Sequence, residues 1–263
     1  ALHDFQEVLR LRRATLGDEH PDTIGAITNA ASTLGMLGRF DEALVLQREG
    51  YALNVRVRGA EHPATLADGN NLASTLMQLG QVDEAIAILQ AVLEARRRVL
   101  GPDHPQTLRT LVNLAAGLVR TGQLDEAIAM QRDLLLRRER TLGPEHQDTV
   151  SARLGLATML GEDGQLEEAE ANARAALDVR RRSLPAQHPD RFETEDQLAR
   201  ILLDRGKIAE AAELAQSALA GFEAVAGAES PSTITAAVGA WQIFNRAGDA
   251  QRAAALRARL FDP

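Results

Sequence analysis

Apolar residues recur along the chain at the spacing of an amphipathic helix, in segments of about fifteen residues or slightly more. Short polar stretches that contain glycine or proline separate these segments. The pattern predicts pairs of helices, here called A and B. In one pair, helix A begins at Pro63 and ends near Gly80, and helix B covers roughly Val82 to Val99. No apolar run approaches the roughly 18 residues of a membrane span.

The pair recurs every 42 residues. Five of the six histidines keep this period, and glycines and alanines keep it in six copies. The residues are His20, His62, His104, His146 and His188; Gly38, Gly80, Gly122, Gly164, Gly206 and Gly248; and Ala43, Ala85, Ala127, Ala169, Ala211 and Ala253. Self-similarity at a fixed period of this length is the signature of a stacked repeat architecture.

The repeat also predicts its own helix ends. Proline follows four of the five histidines, and it suits the first helical position because its missing N–H would be unpaired there. The glycine of the Gly38 series can take the left-handed conformation that ends helix A. A second set of alanines, here called the Ala31 series, keeps the period on helix A: Ala31, Ala73, Ala115, Ala157 and Ala199. They face the Ala43 series on helix B, so the two helix axes can approach closely. Arginine clusters at 96–98, 137–140 and 180–182 end successive B helices, where cations interact favourably with the carbonyl-rich terminus.

The predicted fold is all-α: an α-solenoid, coiled as a right-handed superhelix, of tandem antiparallel helix pairs with about 13 helices. The array is predicted to be a single domain. Its parts are a half repeat at 1–17, repeats at about 18–59, 60–101, 102–143, 144–185 and 186–227, and an atypical terminal repeat at 228–263. Because Ala1 aligns with Ala43, the sequence starts inside a helix B, and we expect it to be a fragment of a longer protein.

Composition narrows the function. Aromatic residues make up only 3%, which argues against β-sandwiches and barrels. The net charge of -8 argues against nucleic acid and anionic membranes as partners. The absence of cysteine excludes disulfides and thiolate chemistry and fits a cytoplasmic setting.

Neither catalysis nor a bound metal is expected. No phosphate-binding glycine loop or nucleophile motif is present, so we expect no enzyme activity and no cofactor. The five periodic histidines cannot converge on one zinc ion, because stacked repeats hold them about 10 Å apart. They are expected to cap helix A. His3 lies outside the register and is expected to be exposed.

The LGPDHPQT loop at 100–107, the NLA of helix A at 113–115 and the Gly-x-x-x-Glu-Ala turn at 122–127 resemble the 42-residue tetratricopeptide repeat of kinesin light chains and their bacterial relatives. The resemblance spans essentially the whole chain. It implies a protein-interaction module whose concave face, lined by the A helices, captures an extended peptide or a partner helix. It also implies that Asn29, Asn71 and Asn113 grip peptide backbone amides. The equivalent residues Gly155, Gln197 and Gly239 depart from that pattern.

The candidate peptide-binding groove is polar, and its N-terminal half is locally cationic. It comprises Asn29, Ser32, Met36, Asn70, Asn71, Ser74, Met77, Gln78, Arg109, Asn113, Arg120 and Gln197, together with Thr28. The hypothesis is that an acidic residue of the peptide lies near Arg109 and Arg120, with an apolar side chain against Met36 and Met77. The C-terminal half carries Glu162, Glu193, Asp196 and Asp204 instead.

In the last repeat, Trp241 stands where the earlier repeats have the alanine of the Ala31 series. Phe244 stands where they have a leucine, at Leu34, Leu76, Leu118, Leu160 and Leu202. These residues either cap the stack or form an interface with another domain or a second copy. The predicted function is binding of a protein or peptide, including an acidic segment, as part of a larger bacterial adaptor or signalling protein. The alternative is a rigid spacer or an autoinhibitory or sensor arm of a signalling ATPase, packed on its own effector domain.

Overall fold

The computed structural model describes the backbone of residues 2–261 and the side chains of residue 4 and residues 7–261. The side chain of His3 lies outside this part. The described chain is all-α, with thirteen helices and no strand, as predicted. The helices are α1 (Leu2–Leu16), α2 (Pro21–Met36), α3 (Phe40–Arg58), α4 (Pro63–Gln78), α5 (Val82–Val99), α6 (Pro105–Arg120), α7 (Leu124–Leu142), α8 (Gln147–Glu162), α9 (Leu166–Ser183), α10 (Pro189–Asp204), α11 (Ile208–Ala226), α12 (Pro231–Arg246) and α13 (Ala250–Phe261).

The even-numbered helices are the A helices, and histidine caps five of them. Nδ1 of each histidine of the His20 series accepts a hydrogen bond from the backbone N–H two residues further on, at 3.1–3.3 Å. In the sixth copy Ser230 Oγ accepts from the Thr233 N–H instead. The side chain thus satisfies an N–H that has no partner within the helix. The capping role expected of the histidines is confirmed.

The turn from A to B depends on glycine. Gly38 adopts a φ of 73°, in the left-handed region, and this lets the Arg39 N–H donate to the Leu34 carbonyl at 2.9 Å. Small residues then close the hairpin. Ala31, Ala73, Ala115, Ala157 and Ala199 on the A helices, and Ala43, Ala85, Ala127, Ala169 and Ala211 on the B helices, are all at most 1% exposed.

The chain divides into two compact units, residues 1–130 and 131–263. In unit 1, the core formed by Ile24 and Ile27 of α2 receives Leu9 from α1 and Leu53 from α3. In unit 2, Val150 and Leu154 of α8 pack with Ala176 of α9. Each A helix therefore buries its apolar stripe against B helices. That the array forms one domain stays a prediction.

One position near the end of helix B corrects an expectation. We expected the arginine clusters to be cations at helix termini, but Arg96 is fully buried and Arg180 is 6% exposed. Arg96 donates to the Leu66 carbonyl of α4 at 3.2 Å, to the Gln106 carbonyl of α6 at 2.8 Å and to Thr110 Oγ1 at 2.6 Å. It therefore joins consecutive repeats through backbone acceptors.

The same bond recurs wherever this position holds arginine. The guanidinium donates to the carbonyl ten residues ahead, near the start of the next A helix, at 2.7–2.8 Å. The pairs are Arg12 with Asp22, Arg96 with Gln106, Arg138 with Asp148 and Arg180 with Asp190. We call these residues the inter-repeat arginines. The two remaining copies have Asn54 and Phe222 at this position.

Candidate functional site

Five of the twelve predicted groove residues line one cavity of about 320 Å³ in unit 1. They lie on α2 and α4, because positions 42 residues apart share a face of consecutive A helices. The five are Ser32, Met36, Asn71, Ser74 and Gln78, and Gly35, Phe40, Gln47 and Thr75 complete the wall. We call this space the α2–α4 cavity. Hydroxyl and amide groups surround a thioether and an aromatic ring, so it offers both hydrogen bonds and an apolar contact.

Two other predicted residues border this region without lining the cavity. Asn29 is exposed on α2. Met77 is half-buried, and its carbonyl accepts a hydrogen bond from Arg120 Nη1 at 2.6 Å. Arg120 is thus already tied to the preceding repeat.

Asn70 is a predicted groove residue that the structure buries. Its side chain is 5% exposed, so little of it is accessible to a peptide. Asn70 Oδ1 accepts from Asn113 Nδ2 at 3.3 Å and from Thr110 Oγ1 at 3.5 Å. Asn113 therefore uses one of its N–H donors in a hydrogen bond between repeats.

Sequence reasoning missed a buried polar cluster beneath the α2–α4 cavity. Asp68 is 8% exposed and accepts from Asn54 Nδ2 at 2.6 Å and from Thr28 Oγ1 at 3.4 Å. Burial raises the pKa of Asp68, although these hydrogen bonds and the charge of Arg58 act in the opposite direction. A signal was available, since Asn54 stands where four other copies have an inter-repeat arginine and Asp68 stands where they have alanine or threonine.

Arg109, the other cation of the predicted groove, is exposed on α6. Burial, and then the charge of Arg109, lower the pKa of Arg96 to about 10. An anion beside Arg109 would offset the repulsion between these two guanidinium groups.

Unit 2 holds the twelfth groove residue in a separate, acidic setting. Gln197 Nε2 donates to the Leu154 carbonyl at 3.0 Å and also bonds to Thr158. It lines a cavity of about 350 Å³ together with Glu162, Glu193 and Asp204. Asp196 is buried instead and pairs with Arg200 at 2.5 Å, and burial raises the pKa of Asp196.

A further cavity, of about 530 Å³, was not predicted. It lies in unit 2 among α10, α11 and α12, with Phe222, Val225 and Pro231 on its apolar wall and Glu193 and Asp196 on its acidic wall. We call it the α10–α12 cavity. Its signal in the sequence was Phe222 in the series of the inter-repeat arginines.

Two tetratricopeptide repeat models match the sequence. One matches residues 64–135 and 110–182, and the other matches residues 1–22, 23–64 and 196–232. Together these matches cover most of the chain. The chain belongs to the tetratricopeptide repeat (TPR) family.

Solved structures agree with this assignment. Nearly identical TPR-like repeats from Podosopora anserina, described as those of a kinesin light chain, give a TM-score of 0.71 at 26% identity, over 79% of this chain and 98% of that one. BtubC from P. vanneervenii gives 0.72 at 18% identity, over 86% and 91%. YrrB, described as a TPR protein with an unusual peptide-binding site, gives 0.51 at 15% identity, over 84% and 93%. The last two likenesses show the fold alone. No protein of curated function matches the sequence.

This TPR chain therefore has the fold of a protein–protein interaction scaffold, in a family whose members are generally not enzymes. Within the described residues, no three histidine, aspartate or glutamate side chains form a group that could hold a metal ion. None of the described helices is long and apolar enough to cross a membrane.

The two aromatic residues in the terminal repeat of this TPR chain, Trp241 and Phe244, differ in burial. Phe244 is 3% exposed, with Arg252 Cζ 5.4 Å from its ring centroid, so of the two predicted alternatives its burial fits a cap of the stack. Trp241 is half-buried and packs edge-on against Phe261, with ring centroids 5.6 Å apart. Trp241 alone of the two keeps an accessible edge.

Proposed function

We propose that this TPR array binds an extended peptide segment of a protein partner in the α2–α4 cavity, as part of a larger bacterial adaptor or signalling protein. The observation that carries the proposal is the convergence of Ser32, Met36, Asn71, Ser74 and Gln78 on one cavity. Their amide and hydroxyl groups supply donors and acceptors for a peptide backbone. Met36 is 80% exposed and offers an adaptable apolar contact for one peptide side chain.

The cations of the next A helix, α6, favour a peptide with an acidic residue on one side of the segment held in the cavity. Arg109 and Arg120 lie eleven residues apart on α6, about 16 Å at the rise of a helix, so they are separate contact points for a peptide. Arg120 already donates to Met77. We therefore assign the acidic contact to Arg109, whose bond to an anion also reduces its repulsion of Arg96.

A peptide-display selection on the full chain tests the proposal. The same selection is run on a variant with Asn71→Ala and Gln78→Ala, which removes two amides from the cavity. A matched variant with Gln90→Ala and Gln216→Ala removes two exposed amides from the B helices α5 and α11. We expect an enriched motif with an acidic position, which the first variant loses and the matched variant keeps.

Two outcomes would contradict the proposal. A motif that survives Asn71→Ala and Gln78→Ala would place peptide binding elsewhere on the chain. An absence of any motif would favour the alternative, in which the array packs on an effector domain of its own protein.

A further inference from the structure

The α10–α12 cavity lies where a repeat arginine is missing. Four copies of the repeat carry an inter-repeat arginine that donates to the carbonyl ten residues ahead. In two of those copies the guanidinium also bonds the threonine fourteen residues ahead, as Arg180 does with Thr194 at 2.6 Å. The side chain therefore occupies part of the space between the end of one B helix and the start of the next A helix, and beside Arg180 a smaller cavity of about 170 Å³ remains.

In one of the two copies without this arginine, a hydrogen-bonded pair of polar side chains takes its place. Asn54 is shorter, but fourteen residues ahead stands Asp68, and the two are joined by a hydrogen bond of 2.6 Å. The gap is thus closed by a polar pair within unit 1. The space that Asp68 lines together with Thr28 and Gly50 is only about 10 Å³.

In the other copy, no polar pair takes the place of the arginine. Phe222 cannot donate a hydrogen bond, and the residue fourteen positions ahead is Ala236. The cavity of about 530 Å³ borders Phe222, Ala236 and Ser232, the last of these being ten residues ahead. The two positions that receive a guanidinium in the Arg96 and Arg180 copies thus both line open space in this copy.

Phe222 does not fill that space because its ring is directed to another aromatic residue. The rings of Phe192 and Phe222 pack edge to face, with centroids 5.8 Å apart. Gly221 makes room for Phe192, since a Cβ atom at residue 221 would lie 2.4 Å from that ring. The aromatic pair therefore replaces the packing of the arginine stem but not its charged head.

The walls of the cavity suit a cation with a long apolar stem. Asp190, Glu193 and Asp196 supply three carboxylates against the single lining cation Arg200. Arg180 approaches Asp190 at 3.5 Å and Glu193 at 3.8 Å, distances longer than a charged hydrogen bond. The Glu193 side chain is 70% exposed and free to turn toward a ligand. The opposite wall is apolar and includes the Phe222 ring.

We propose that the α10–α12 cavity binds an arginine side chain presented by a protein partner, which supplies the guanidinium that this copy of the repeat lacks. The stem packs on the apolar wall at Phe222 and Val225. The planar head meets Glu193 and Asp196, sharing the Asp196 carboxylate with Arg200. Arginine is favoured over lysine because its flat guanidinium binds a carboxylate through two bonds and stacks on an aromatic ring. The site is separate from the α2–α4 cavity and carries the opposite charge preference.

The test uses the full chain and the synthetic peptide acetyl-Gly-Ser-Gly-Arg-Gly-Ser-Gly-amide. Binding is followed by NMR titration of the backbone amides. The comparison peptides replace arginine by lysine or by citrulline, which has nearly the same shape but no charge. We expect shifts confined to α10, α11 and α12, and binding at least about tenfold weaker for the citrulline peptide, one factor of ten being the scale of a single charged hydrogen bond.

Two pairs of substitutions separate the site from general electrostatic attraction. Glu193→Gln with Asp196→Asn removes two carboxylates from the cavity. Glu162→Gln with Asp204→Asn removes the same charge from unit 2 at residues that do not line it. We expect the first pair to weaken arginine-peptide binding about tenfold and the second to leave it within about twofold. Equal weakening by both pairs would overturn the proposal, as would citrulline binding equal to arginine, or no binding at all at about 10 mM peptide.

A third variant asks whether the chain can fill its own cavity. Phe222→Arg places an arginine where four other copies have one, and we expect it to abolish peptide binding with a folded circular dichroism spectrum. Persistent peptide binding by folded Phe222→Arg would contradict the proposal. If this variant does not fold, Glu193→Gln alone, at an exposed side chain, decides the outcome. The variant with Asn71→Ala and Gln78→Ala should keep arginine-peptide binding, so failure of either proposal can be recognised separately.

Discussion

Glu170 joins two repeats of unit 2 through three cations, and its neutralisation tests the energetics of that junction. The carboxylate lies on α9 and is 5% exposed. It accepts from Arg174 Nε at 2.7 Å on its own helix and from Lys207 Nζ at 2.8 Å. It also bonds Arg205 at the end of α10. The perturbation is Glu170→Gln, which keeps the shape and removes the charge.

The magnitude follows from the pKa of this carboxyl. Burial acts to raise the pKa of Glu170, but the hydrogen bonds from Lys207, Arg174 and Arg205 together outweigh burial and hold it at about 2. Against about 4.3 in an unfolded chain, this corresponds to about 3 kcal/mol at neutral pH. Lys207 and Arg174 are 43% and 39% exposed, so water screens part of the attraction. We expect Glu170→Gln to lower the free energy of unfolding by about 1 to 2 kcal/mol at pH 7.

The direction of the pKa shift determines how the stabilisation by Glu170 changes with pH. Because the folded pKa of Glu170 lies below the unfolded pKa, the stabilisation is fully present above about pH 5. It is lost as the pH falls from about 4.3 to about 2, where the carboxyl is protonated in both states. The difference in stability between the native chain and Glu170→Gln should therefore be constant from pH 6 to 8 and shrink between about pH 4 and 2.

Urea unfolding measures this difference. Trp241 is the only tryptophan and lies on α12 of unit 2, so its fluorescence reports unfolding of that unit. The control is Glu167→Gln, which removes a carboxylate that also bonds Arg205, at 2.7 Å, but whose side chain is 81% exposed. We expect a loss below about 0.5 kcal/mol for the control. Equal losses for the two variants, or a difference for Glu170→Gln that does not shrink in acid, would refute the reasoning.

Two further predictions concern packing. Ala85 is fully buried in the α4–α5 hairpin, so Ala85→Leu should cost about 1 to 3 kcal/mol through overpacking, and unchanged thermal stability would contradict the assigned repeat register. Gly221→Ala should cost a similar amount because its Cβ atom would meet the Phe192 ring, and Phe192→Leu in the same chain should recover most of that loss. Additive losses for the last two substitutions, measured by thermal unfolding, would show that the ring is not the obstacle.

The sequence predicted the fold because its signals are local. A histidine before proline and a glycine after the helix each fix one helix end through bonds within a few residues, and α5 begins and ends where predicted, at Val82 and Val99. The predicted groove residues Ser32, Asn71 and Ser74 meet in one cavity because they share one face of the helices.

The sequence did not predict the burial of Asn70 and Arg96, because that burial depends on helix rotation and on contacts between repeats. Asn70 and Asn71 are adjacent, yet a rotation of about 100° per residue buries one and exposes the other. The same rotation buries Arg96 while Arg98 stays exposed and pairs with Glu61. Two of the three partners of Arg96 are backbone carbonyls, which leave no trace in the amino-acid sequence.

A departure from the repeat, rather than a shared position, locates the α10–α12 cavity. A capping histidine or an alanine of the Ala31 series is held by a helix end or by a fully buried contact, and only the terminal repeat replaces them, with Ser230 and Trp241. The inter-repeat arginine is different, since two copies do without it. Asn54 keeps its gap closed by a bond to Asp68, whereas Phe222 is paired with Phe192 and leaves the α10–α12 cavity open. Loss of the arginine alone therefore does not open a cavity; the cavity requires that no polar partner replaces it, and the cost of that open space is a reason to expect a ligand there.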